Sequence, residues 1–296
     1  MAHDIALVEY TRKQQAAPAG PMSQFSTLLL KTAIVRIRDV VCCGACRHKS
    51  AEECTDATHL VFPYRGVFVR HLGRDAAVAE ANQVLFFNHA EAYRVSHPIE
   101  GGDACLDLVI SEPLLSELAP NEQIRGSGAM SFRRQHLRID ARAQALAAVL
   151  RHGLRRNVAE TLEAETLALT LVRRALGERT SHAAGASPGR QKLADRAKLV
   201  LSTDLGRRWT LAEIAAQVGV SPVYLTQVFQ QVEAVPLYRY QLRLRLARAL
   251  DLLGDCDDLT TLSMDLGFSS HSHFSAAFRQ AYGRTPAEFQ RSIRQR

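Results

Sequence analysis

The stretch Thr210-Leu211-Ala212-Glu213-Ile214-Ala215-Ala216-Gln217-Val218-Gly219-Val220-Ser221-Pro222-Val223-Tyr224-Leu225-Thr226-Gln227-Val228-Phe229 decides how the chain is read. Thr210 followed three residues later by Glu213 is a capping-box pattern, so a helix starts at Leu211. Leu211, Ile214, Ala215 and Val218 recur at helical spacing and give that helix one apolar face. Gly219 breaks it. Ser221-Pro222 then supplies a cap and a first-turn proline for a second helix, which buries Leu225, Val228, Phe229 and Val232. A short helix, a glycine turn and a second capped helix make a helix-turn-helix unit.

The same order returns further on. Leu259–Leu266 reads as a short helix with Leu262 and Leu266 inward, Gly267 ends it, and Ser269-Ser270 opens a helix that buries Phe274 and Phe278. Between the two units runs a long helix, about Pro236 to Leu253, carrying Arg239, Arg243, Arg245 and Arg248. A helix of that length spans roughly 27 Å at about 1.5 Å per residue. With the packing of each unit, the separation approaches one DNA turn, about 34 Å. Two second helices from one chain therefore suit successive major grooves on one face of a duplex. With a first helix at about Leu193–Thr203, seven helices are expected after Lys192.

Composition supports this only mildly. The net charge of +7 favours a polyanionic partner, but it bears on association and not on fold. No apolar run reaches about 18 residues, so no membrane span is expected. The start, Met1-Ala2-His3-Asp4, has neither a basic region nor an apolar one behind it, which predicts a cytoplasmic chain. The six cysteines are then reduced thiols, metal ligands or redox switches.

The first half has a different texture. Residues 1–24 read as a loose tail. Short runs follow, Ala33–Ile37, His59–Phe62, Gly66–His71 and Val84–Phe87, separated by turn residues and spaced as in an all-β barrel or sandwich. Ala141–Leu154 and Ala159–Leu176 then read as two helices able to pack as a hairpin on the barrel or against a second subunit. The expected layout is a tail at 1–24, a sensing domain at 25–120, a helical dimerisation segment at 121–180, a linker at 181–191 and an all-α domain at 192–296. The fold class is α+β.

Cys42, Cys43, Cys46 and Cys54 form a dense cluster. Cys43 and Cys46 have the spacing of a zinc knuckle, which Cys54 or His48 would complete. Alternatively, Arg47, His48 and Lys49 would activate a thiol as a redox sensor, or the cluster is inert. Cys105 and Cys256 read as packed thiols. His59, His71, His89 and His97 stand alone in the sequence and read as surface or hydrogen-bonded residues.

Residues 192–296 resemble the DNA-binding domain of AraC/XylS regulators. The matching stretches are Leu211–Ala215, Gly219-Val220-Ser221, Leu225, Phe229, Arg245–Ala249, Gly267–Ser270, Phe274, Phe278-Arg279, Tyr282-Gly283 and Thr285–Phe289. The resemblance implies a sequence-specific regulator of transcription, an activator type, with double-stranded promoter DNA and RNA polymerase as partners. It also implies a cupin-like first domain that senses a small-molecule effector, and a homodimer. Val223, Thr226, Gln227, His271, Ser272 and Ala276 would then face base edges. Tyr224, Ser270, His273 and Arg279 would contact phosphate, with Gln230 and Ser275 also on the exposed faces. Relatives often carry Arg at the positions of Gln227 and Ala276. Gln227 prefers adenine and Ala276 offers only an apolar contact, so a site less dependent on guanine is expected.

Two other classes predict different behaviour. A sensor whose basic domain merely docks another protein would show no salt-dependent DNA affinity. An enzyme needs a ligand set, and the barrel segment lacks the His-x-His pair that cupin enzymes use, so no catalysis is expected.

Overall fold

The computed structural model describes residues 24–44, 47–125, 130–177 and 187–294. The expectations about the tail, about Cys46 and about linker residues 181–186 therefore lie outside the described residues.

Six strands, β1 (Gln24–Lys31), β2 (Val35–Cys42), β3 (His59–Gly66), β6 (Gln83–Phe87), β8 (Asp103–Ile110) and β9 (His136–Arg138), form an antiparallel sheet. Its order is β1-β2-β8-β3-β6-β9. β4 (Phe68–Leu72), β5 (Asp75–Ala79) and β7 (Arg94–Ser96) form a second sheet of order β5-β4-β7. Of the barrel and the sandwich that the sequence leaves open, the described residues do not form a closed barrel. Both sheets end in free edges, because β1 and β9 at the margins of the large sheet do not pair with each other.

Strand alternation sorts the side chains of the large sheet onto two faces. Val35 and Ile37 of β2, Leu60 and Phe62 of β3, Val84 and Phe86 of β6, and Leu106 and Leu108 of β8 face the helices. Cys42, His59, Val61, Phe87, Cys105 and Asp107, the opposite parity, face a cavity shared with the second sheet.

The helix-facing side is covered by α2 (Ala141–Arg155) and α3 (Thr161–Leu176), which follow a short α1 (Glu112–Leu118). Asp140 caps α2, accepting from the Ala143 N–H at 2.9 Å and from Arg174 Nε of α3 at 2.8 Å. α2 is buried on two sides. Ala143, Leu150 and Leu154 meet the sheet, while Ala148 joins the core of the C-terminal domain.

The C-terminal part contains α4 (Pro188–Thr203), α5 (Leu211–Val218), α6 (Pro222–Glu233), α7 (Leu237–Leu252), α8 (Leu259–Asp265), α9 (His271–Tyr282) and α10 (Pro286–Arg294). α4 opens at Pro188, inside the stretch expected as linker, since Pro at the first helical turn costs no intrahelical bond. The architecture is thus α+β: an N-terminal β-sheet region with a helical pair, then an all-α domain.

Candidate nucleic-acid interface

The two helix-turn-helix units form where the caps require them. Thr210 Oγ1 accepts from the Glu213 N–H at 3.2 Å, and the Glu213 carboxylate accepts from the Thr210 N–H at 2.8 Å. That backbone bond, with help from the Thr210 hydroxyl and Arg207, pulls the Glu213 carboxyl down to about 2. α5 ends at Gly219, which is left-handed, and Ser221 caps α6 by accepting from the Tyr224 N–H at 3.3 Å. In the second unit Asp258 caps α8, and Ser270 caps α9 by accepting from the His273 N–H at 3.1 Å. Gly267 turns between them at φ +77°, and a Cβ there would lie 2.1 Å from the Gly206 carbonyl oxygen, so only glycine fits.

Each unit has its own apolar core. Leu225, Val228 and Phe229 pack with Ile214, Ala215 and Tyr240 in the first. Phe274 and Phe278 pack with Phe268, Phe289 and Leu250 in the second. The face of α6 opposite its core exposes Val223, Tyr224, Thr226, Gln227 and Gln230. The corresponding face of α9 exposes His271, Ser272, His273, Ala276 and Arg279, with Ser270 exposed at its cap and Ser275 half-buried.

Several of these side chains are already engaged. Thr226 Oγ1 donates to the Pro222 carbonyl at 3.0 Å, which turns its methyl outward and its hydroxyl into the helix. His273 Nδ1 lies 3.0 Å from Ser269 Oγ and its ring meets Phe268 edge-on, so it is braced against the turn. His271 Nε2 lies 3.5 Å from Ser275 Oγ.

The four arginines of α7 divide by role in a way that spacing does not reveal. Arg239 and Arg243 are exposed. Arg248 pairs with Asp251, which also pairs with Arg151 at 2.8 Å. Arg245 donates to three carbonyls: Leu205 at 2.7 Å, Arg207 at 2.8 Å and Gly267 at 3.0 Å. It therefore ties the entry of the first unit to the turn of the second. The helix between the units has 16 residues, or about 24 Å by the same rise per residue.

Sequence reading missed a basic pair beside both units. Arg207 and Arg208 are exposed. Arg207 lies over the Trp209 ring at 4.1 Å, and Arg208 Nη2 donates to the Phe268 carbonyl at 3.2 Å. The signal was the Arg-Arg-Trp run ahead of the capping box.

In the N-terminal region a cavity of about 300 Å³ lies between the sheets. Val61, Phe68, Phe87 and Val95 line it with Glu53, His59, His97, Asp103 and Asp107. His59 Nδ1 lies 2.8 Å from Asp107 Oδ1, and the Tyr93 hydroxyl donates to Glu53 at 3.2 Å. His97 Nε2 lies 2.7 Å from Asp103 Oδ1, and that bond raises its imidazole to about 10. Cys43, His48 and Cys54 are exposed and do not gather into a metal-ligating group among the described residues. Cys105 is buried, and its Sγ lies 3.4 Å from Asp103 Oδ2. No disulfide joins the described cysteines. No described helix is long and apolar enough to cross a membrane.

Comparison with known proteins concentrates on the same third of the chain. A family described as a helix-turn-helix domain matches residues 214–292. The regulatory protein PocR of Salmonella typhimurium is 32% identical over 94 residues, covering 31% of this chain and 30% of that protein. The HTH-type transcriptional regulator ArgR of Pseudomonas aeruginosa is 37% identical over 95 residues, covering 31% of this chain and 29% of that one. The chain thus spans about a third of the length of these curated relatives. Among solved structures, an AraC-type DNA-binding-domain regulator from Chromobacterium violaceum is 30% identical. It covers 37% of this chain and 98% of that chain, with a TM-score of 0.35. Both curated relatives are regulators, ArgR of the helix-turn-helix type. Residues 214–292 thus match a helix-turn-helix domain, and over that third of its length the chain is similar to transcription regulators of the AraC/XylS type.

Proposed function

We propose that the chain reads two successive major grooves of promoter DNA with α6 and α9, and that its N-terminal domain controls that reading. The observation that carries this is the Arg245 strut, which fixes the relation between two exposed, separately cored reading helices. On this reading Val223, Thr226 and Gln227 meet base edges in one groove, and His271, Ser272 and Ala276 do so in the next. Tyr224, Gln230, Ser270, His273, Ser275 and Arg279 position the helices on the sugar–phosphate backbone or at the groove edges. The Thr226 methyl and Gln227 amide suit A·T pairs, and Ala276 suits a thymine methyl.

The N-terminal domain acts as a cupin-type sensor on this reading, supported by two antiparallel sheets enclosing a cavity. A small-molecule effector, or a metal or thiol signal, shifts the equilibrium between arrangements of the reading helices by binding one arrangement better. The chain works as a cytoplasmic homodimer through α3, whose exposed Leu162 offers an apolar contact, and engages RNA polymerase at its promoters. Activation is the expected direction.

Selection of bound sites from random DNA with the full chain tests the reading. It should return two half-sites about one turn apart per protomer, with affinity falling steeply as salt rises. A single short site, or salt-independent capture, overturns it.

A further inference from the structure

Three donor side chains from two separate stretches of sequence converge at the cavity. Cys42, His97 and Asp103 each place one ligand atom so that all lie within 4.8 Å of one another. The geometry follows from strand register. Cys42 is the last residue of β2 and pairs with Asp103, the first residue of β8. Both have the cavity-facing parity. His97 follows β7 and approaches from the other sheet, so the three donors bridge the two layers.

The strand ends are held together tightly. Gly102 adopts φ +67°, and a Cβ there would lie 2.0 Å from the Cys42 carbonyl oxygen. This close approach fixes Cys42 beside Asp103. His97 is 4% exposed, and its Nε2 lies 2.7 Å from Asp103 Oδ1, so an imidazole nitrogen already reaches the carboxylate inside the site.

We propose that Cys42, His97 and Asp103 form a site for a divalent transition metal of the zinc class, with the fourth position open to the cavity. A sulfur, an imidazole nitrogen and a carboxylate oxygen are a donor set for such a metal, whereas magnesium and calcium take oxygen alone. Ionised Cys42 and Asp103 together carry two negative charges, which a divalent cation cancels, so the buried site becomes electrically neutral. Coordination displaces the Cys42 thiol proton and leaves His97 as a neutral imidazole, both protons passing to solvent. Three protein ligands with one open position is the arrangement of sites that bind water or a further ligand, not of closed structural sites. The open position faces a chamber walled by Phe68, Phe87, Val61 and Val95. Metal binding here stands independently of whether the chain reads DNA.

The test uses the full-length chain, stripped with chelator, desalted and titrated with cobalt(II). The expected result is one cobalt per chain, a thiolate-to-cobalt charge-transfer band in the near ultraviolet and visible bands of a four-coordinate ion. X-ray absorption should find a single sulfur in the metal's coordination sphere. Cys42→Ser and His97→Gln should each weaken cobalt binding by more than about 100-fold, a larger loss than outer-shell changes produce. A combined Cys43→Ser, Cys46→Ser and Cys54→Ser variant should bind as before. If the single variants fail to fold, the sulfur count on the unmodified chain decides. Absence of stoichiometric cobalt on the folded chain leaves His97 and Asp103 as a plain ion pair and overturns the proposal. Two or more sulfurs, or loss of cobalt in the combined variant, overturns it in favour of Cys43, Cys46 and Cys54.

Discussion

The phenol of Tyr240, on the helix between the two units, donates a 2.5 Å hydrogen bond to Glu80 at the end of β5, on the N-terminal domain. Both side chains are buried, and they belong to a larger charged junction. Lys198 of α4 pairs with Glu233, the last residue of α6, at 2.7 Å, and Arg138 of β9 pairs with Glu233 at 2.9 Å. The C-terminal end of the first reading helix is therefore gripped by the N-terminal domain.

Burial raises the Glu80 carboxyl from 4.5 to about 7, although Lys198 and Tyr240 pull it back and Glu233 pushes the same way as burial. A carboxyl with a raised folded pKa favours the folded state fully below its unfolded value, and that contribution is lost as pH rises through the folded one. Stability should therefore decline across about pH 4.5 to 7 through this group. Glu80→Gln should flatten that slope in urea titrations run at several pH values. An unchanged slope would exclude Glu80 as its source.

Lys198 is 1% exposed and Glu233 is 2% exposed. Lys198→Met removes a buried cation paired with the Glu233 carboxylate and should cost about 3–5 kcal/mol in denaturant unfolding. Arg207→Met breaks an equally short pair with Glu213 at 2.7 Å, but on the surface, and should cost far less. Equal losses would contradict the role given to burial.

His152 on α2 donates from Nε2 to the Leu250 carbonyl of α7 at 2.9 Å. Burial, reinforced by Arg151, lowers this imidazole from 6.5 to about 4. A depressed imidazole stabilises above its unfolded pKa, so this contribution fades as pH falls from about 6.5 towards 4. Gly254→Ala should loosen the same contact, since a Cβ would meet His152 Cε1 at 2.7 Å. The expected cost is about 1–3 kcal/mol, read as a lower melting temperature.

Arg245→Ala removes three bonds to carbonyls that link the two units. Affinity for a two-half-site duplex should fall at least about tenfold, since a charged hydrogen bond is worth about 1.5–3 kcal/mol. Affinity for an isolated half-site should change much less. A gel-shift comparison of the two duplexes reads the difference, and a uniform loss would mean that Arg245 serves folding alone.

Gln227→Ala should relax preference at one position of the first half-site by about 1–3 kcal/mol without altering the salt slope. Selected sites before and after the change measure this. A guanine-dominated position facing Gln227 would contradict the adenine assignment.

The two units were legible because each boundary is written locally: a cap, a glycine and a buried phenylalanine in each second helix. Thr210, Gly219, Ser221, Gly267 and Ser270 all perform there the roles their spacing implies. Strands β5 and β9 were not legible. β5 is Asp-Ala-Ala-Val-Ala, whose alanines carry no strand signal, and β9 is three residues long. Cys42, His97 and Asp103 escaped for a different reason. Their proximity is a product of antiparallel register, which sequence separation hides, so the eye goes to the crowded loop beside them. The roles of Arg245 and Arg248 were equally hidden, because what an arginine on a helix does depends on the carbonyls and carboxylates that other elements bring to it.

The burial of α2 on both of its sides has a mechanical consequence. The first unit rests on the turn between β5 and β6 through Glu80, whereas the second rests on α2 through Ala148 and the 3.2 Å bond from Tyr282 to Gln144. The two reading heads thus stand on separate footings of one platform. If the units read DNA as proposed, a shift of α2 against the sheet would change the pitch between them and bias the choice of operator spacing rather than the grip on every site.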